Sequence, residues 1–121
     1  MPTTTIYKPG EIVLVGFPFT DLSSAKKRPA LILRSFSVPS LPRLIVIAMI
    51  TSQLEGIKLE GDYEIRQWQA AGLLHPSKLR LAKLVTLEEK LIVKKLGSLT
   101  ETDKKPVRRI LKNFFHLSLR G

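Results

Sequence analysis

Two short stretches of this sequence carry side chains suited to phosphate chemistry. Lys26, Lys27 and Arg28 are consecutive and run into Pro29, just ahead of the apolar segment ALIL. A guanidinium held between a polar loop and the start of a buried strand is oriented, and its planar five-donor fork matches a phosphate or a phosphorane. Three adjacent basic residues are more often a plain solvated loop, and that reading stands beside the first. Thr51, Ser52 and Gln53 follow directly on the apolar run LIVIAMI. Polar residues there are ordinarily the exit of a strand, yet a strand locked in a core also displays hydroxyls rigidly. Two strands, each delivering a phosphate-compatible group at one end, can form a site.

The other candidates are fewer. His75, between Leu73-Leu74 and Pro76, reads as a loop residue before it reads as a proton shuttle. His116 beside Phe115 fits a helix-end role. Phe17, Phe19 and Phe36 stand near loops, with core packing as the default for each. Trp68 has a better case for stacking on a base, because Arg66, Gln67 and Gln69 around it are polar. The chain has no cysteine and only two histidines, which removes disulfide scaffolds, thiolate zinc and thiol catalysis. It also lacks a glycine-rich phosphate loop, a carboxylate cluster and a nucleophilic triad. No metal site and no other cofactor is expected.

Elements able to hold these groups follow from the apolar pattern. EIVLVGF (11–17) alternates and then runs apolar, as a first strand does. Residues 18–27 read as a polar loop, ALILR after Pro29 as a second strand, and LIVIAMI (44–50) as a buried third. A short strand is expected at 62–65, one helical turn at 67–72 ending on Gly72, and longer strands over 77–87 and 90–99 with a bend at Gly97. The period then changes. Val107, Ile110, Leu111, Phe114 and Phe115 make the stripe of an amphipathic helix. Thr100 and Asp103 resemble a capping box, and Pro106 favours a start capped by Asp103, or else a kink. The sum is a mainly β (α+β) fold, a small β-barrel with one C-terminal helix, as a single domain over 1–121.

Charge names the class of partner. Twenty Lys and Arg against ten Asp and Glu give +10, and twelve of those basic residues lie from position 75 onward with only four acidic ones. Such a balance favours a polyanion without choosing among RNA, DNA, an acidic protein or a membrane surface. The longest apolar run, Leu44 to Ile50, is far short of the roughly 20 residues that span a bilayer. With a polar start that does not read as a signal peptide, no membrane association is expected, and a cytoplasmic location is. On residues alone two readings remain open: a small basic barrel that binds nucleic acid, or a nuclease that works without metal.

The order of motifs narrows this. GEIVLVGFPFTD, KKRPALIL, VIAMITSQ, AGLLHPSKLRLAKLVTL and GSLTETD, followed by a terminal helix, together resemble the PemK/MazF-like growth-inhibitor family over about residues 10–115. The resemblance implies an SH3-like barrel, usually a homodimer, and a sequence-selective endoribonuclease of a type II toxin–antitoxin system. It implies two partners, single-stranded RNA and a cognate antitoxin whose C-terminal segment covers the RNA groove. The catalytic arginine and threonine of such toxins match Arg28 and Thr51 here. Lys26, Lys27, Ser52, Gln53, Trp68, Ser77, Arg80 and Lys83 are assigned with them to RNA binding. Some members carry an acidic residue soon after the arginine that Arg80 matches; here Leu81, Ala82 and Lys83 stand there. Arg80 and Lys83 are therefore read as phosphate binders, and the alternative of a non-catalytic basic barrel that binds RNA or DNA is retained.

Overall fold

A computed structural model describes residues 6–17 and 26–117. Its strands are β1 (Glu11–Phe17), β2 (Lys26–Phe36), β3 (Leu44–Thr51), β4 (Asp62–Glu64), β5 (Lys78–Glu88) and β6 (Ile92–Ser98), followed by helix α1 (Glu101–Phe114). They form one six-stranded sheet in the order β4-β5-β3-β2-β1-β6, and every pairing is antiparallel. The expected mainly β fold with one C-terminal helix is the fold observed.

Alternation along the strands sends apolar side chains to both faces of the sheet. Val13, Val15, Ala30, Ile32, Ile45 and Ile47 are buried on one face with Leu87. Ile12, Leu31, Ala48, Ile50, Leu79 and Leu81 are buried on the other, where Ile65, Leu73 and Val107 cover them. A flat sheet of this size cannot bury both faces, so the strands bend. Register shifts mark the bends, between Ile32 and Arg34 on β2 and across 81–83 of β5, where Ala48 faces Leu84 but Met49 faces Arg80.

Closure differs in kind from the expected barrel. Among the described residues no ladder joins β4 to β6, and the gap between them is spanned by the turn that follows β4. Gly72 in that turn has φ +92, and a Cβ there would meet the Leu96 carbonyl oxygen at 2.1 Å. Gly97 mirrors it, since a Cβ there would meet the Ala71 carbonyl oxygen at 2.2 Å. Two glycines thus let the turn lie directly on the β6 backbone. The expected helical turn at 67–72 is present, closed by Ala71 N–H on Gln67 O at 3.0 Å and ended at Gly72.

Three boundaries differ from the sequence reading. β2 begins at Lys26, not after Pro29, because β1 holds its exposed start in register from Phe17–Lys26 onward. What was read as one strand over 90–99 is a single 3-10 turn at Glu89–Leu91 and then β6. Thr100, not Asp103, holds the N-cap position of α1, without a side-chain cap bond, so the capping box is not formed and Pro106 is the sixth helical residue instead of the third. Asp103 is needed elsewhere. Fully buried, its carboxylate accepts the Tyr63 hydroxyl and the backbone N–H groups of Arg66 and Gln67, the last two at 2.9 Å. Val107 is buried and Ile110 and Leu111 pack on the core as the stripe predicts, while Phe115 just past the helix is 45% exposed.

Candidate active site

β3 lies between β2 and β5, and this fixes what stands beside Thr51. The β2–β3 ladder ends at the pair Ala30–Met49, so Arg28 and Thr51 each lie two residues beyond that last pair, on neighbouring strands. Both residues line the same clefts, which brings them to one side of the sheet. On the other side of β3, Thr51 pairs with Lys78, and on the far side of β2, Arg28 pairs with Val15. Arg28 is thus an exposed side chain on a backbone tied into the sheet. No described carboxylate makes an ion pair with it.

The Thr51 hydroxyl oxygen accepts the backbone N–H of Gln53 at 3.1 Å. That bond occupies a lone pair and leaves the O–H hydrogen to donate. Arg28 and Thr51 both line two adjoining clefts. The larger, 740 Å³, also takes Lys27, Ser52, Gln53, His75, Ser77 and Lys94 into its wall. The smaller, 370 Å³, adds Arg80 and Lys83 to Arg28, Thr51 and Gln53. Both are open to solvent and lined by cations.

Most of the residues singled out in the sequence therefore come together, with three qualifications. Trp68 is half-buried against the core and lines neither cleft wall. Lys26 is exposed on β2 outside both walls. Ser77 reaches the large cleft but is 5% exposed, and its hydroxyl donates to the His75 carbonyl at 2.8 Å. Phe36 lies at the far end of β2, with the Arg34 guanidinium 5.8 Å from its ring centroid, and Phe19 falls outside the described residues.

Sequence reasoning missed Lys94 and Asp62. Lys94 on β6 faces Leu14, which faces Pro29 on its other side, so only the strand order brings it to the cleft. Asp62 is a nearly buried anion between two cations, with Lys78 Nζ at 3.3 Å and Arg80 at 3.9 Å. It also accepts the Leu59 N–H at 3.0 Å, while Arg80 donates to Ile57 O at 3.1 Å, so the pair holds the loop after Thr51. Among the described residues no three His, Asp or Glu side chains cluster as metal ligands, and no helix is long and apolar enough to cross a membrane.

A family model described as PemK-like, MazF-like toxin of type II toxin–antitoxin system matches residues 8–115. The chain belongs to this toxin family. Its members are endoribonucleases. Solved toxin structures share the fold. The Mycobacterium tuberculosis toxin MazF-mt6 aligns with TM-score 0.63 at 23% identity, covering 89% of this toxin and 98% of that chain. A mycobacterial endoribonuclease in complex with its cognate antitoxin gives 0.65 at 13% identity, over 95% and 100%. MazE–MazF from Deinococcus radiodurans gives 0.66 at 15%, over the same shares. No curated protein sequence matches.

Proposed function

We propose that this toxin cleaves single-stranded RNA at selected sequences, with the RNA's own 2′-OH as nucleophile, leaving a 2′,3′-cyclic phosphate and a 5′-OH. The observation that carries the reading is that Arg28 and Thr51, just beyond the last β2–β3 pair, together line both cation-lined clefts. In-line attack builds charge on the equatorial phosphate oxygens, and an oriented guanidinium is suited to that charge. The Thr51 hydroxyl, already accepting from Gln53, donates to a phosphate oxygen and fixes the scissile group. Lys27, Lys83 and Arg80 grip flanking phosphates, with Ser52 and Gln53 beside the reacting one. Family membership supports the substrate class, and no step draws on a metal.

Two further parts of the reading concern assembly. Relatives of the same fold are described with an antitoxin bound, which supports an acidic antitoxin segment as a partner able to compete for this basic surface. A homodimer in the cytoplasm completes it, checked by light scattering of the purified toxin.

The test is direct. Purified toxin is incubated with a long RNA in EDTA and the new ends are mapped. Cuts at a recurring short sequence, with 5′-OH ends, are expected. RNA that is shifted on a gel yet stays intact would leave a binding barrel in place of a nuclease.

A further inference from the structure

Proton transfer is the step that Arg28 and Thr51 leave unassigned. When the O2′–P bond forms and the P–O5′ bond breaks, the 2′-OH proton must go to a base and the departing 5′-oxygen must gain one. Donors abound in the large cleft: Lys27 and Arg28 from β2, Lys94 and Lys95 from β6, the last paired with Glu11 at 2.7 Å. Guanidinium and ammonium groups hold their protons near neutral pH and cannot accept another. No carboxylate is among the described residues that line this cleft. One side chain there can accept a proton as a neutral base, the imidazole of His75.

Its mounting is rigid. Leu73, two residues before, is 7% exposed in the core, and its N–H donates to Trp68 O at 3.0 Å. Ser77, two residues after, is 5% exposed, donates its hydroxyl to the His75 carbonyl, and accepts the Ile65 N–H at 2.9 Å. Pro76 limits the backbone between them. Lys78, the cross-strand partner of Thr51, follows three residues after His75. An exposed residue on so short and anchored a bridge is held at the cleft wall.

We propose that His75 is the general base of the cleavage. Resting on the ribonuclease reading above, this role has neutral His75 take the 2′-OH proton as the oxygen attacks phosphorus. The 5′-oxygen leaves with a proton from a cleft ammonium; afterwards solvent takes the proton from the imidazolium and gives one back to the amine. Sequence context had placed His75 as a loop residue; the cleft wall gives that loop a chemical task.

Single-turnover cleavage of a short RNA is to be followed from pH 5 to 9 for the wild type, His75→Gln and His75→Ala. A base must be unprotonated, so the wild-type rate is expected to rise tenfold per pH unit on the acid side and then level. His75→Gln should fall about 10²–10⁴-fold and lose that acid limb, with RNA affinity by gel shift unchanged. His75→Ala should regain rate in proportion to added neutral imidazole, which a structural role would not produce. A His75→Gln enzyme that keeps wild-type rate, or keeps the acid limb, overturns the assignment while leaving the nuclease intact. A wild type that cuts no RNA overturns the nuclease reading and this role with it.

Discussion

The carboxylate of Asp103, in the first turn of α1, accepts the backbone N–H of Gln67 at 2.9 Å across 36 residues of chain. Together with its bonds from Arg66 N–H and the Tyr63 hydroxyl, this ties the C-terminal helix to the turn that closes the sheet and leads into the cleft wall. The helix is therefore part of the site's scaffold, though no residue of it lines either cleft.

Asp103→Ala removes the acceptor for three donors at once and leaves a buried hole. A loss of about 3 kcal/mol of stability is expected, since each buried donor left without a partner costs on the order of 1–3 kcal/mol. Urea unfolding measures it. An unchanged midpoint would mean that water replaces the carboxylate at no cost.

Tyr63 supplies an alkaline signature. Burial, then the Asp103 hydrogen bond and its negative charge, push the phenol up to about 12 from an ordinary 10. The folded state holds this proton more tightly than the unfolded one, so the stabilisation is complete below pH 10 and is lost between pH 10 and about 12. The chain has two tyrosines, Tyr7 and Tyr63, so tyrosinate absorbance should show a late step that vanishes in Tyr63→Phe.

Gly72→Ala and Gly56→Ala separate backbone strain from closure. Both glycines have positive φ, but a Cβ at Gly56 meets nothing within 4 Å whereas one at Gly72 strikes the Leu96 carbonyl. Gly56→Ala is expected to cost about 1 kcal/mol and Gly72→Ala about 3 or more, by denaturant titration. Equal losses would show that the turn moves off β6 without penalty.

At the cleft, Arg28→Lys keeps the charge and loses the planar fork. Cleavage should drop about 10²-fold or more with RNA affinity nearly preserved, read by single-turnover rates beside gel shifts. A lysine variant that cuts as well as the wild type would reduce Arg28 to a point charge.

Much of this was legible in the residues, for definite reasons. Periodicity marks β1, β3 and α1 because each buries a continuous stripe or run, and burial is what the apolar pattern records. The combination of Arg28 with Thr51 was legible as a resemblance, while the clefts they share came only with the fold. Asp103 misled because its local surroundings are those of a helix cap, whereas its partners are 36 to 40 residues distant. β2's start at Lys26 was hidden because an exposed basic strand end has no apolar signal. Lys94 carries no local signal, because only its pairing through β1 to β2 brings it to the cleft.

The two anchors around His75 have an evolutionary consequence. Leu73 and Ser77 belong to the core, and only Leu74, His75 and Pro76 stand between them in the open. Leu74 is 85% exposed, so its replacement removes little buried surface. Such a span behaves as a three-residue cassette, free to change its side chains but not its length. Related toxins are expected to differ here by substitution, while insertions are confined to loops whose ends are not both locked in the core.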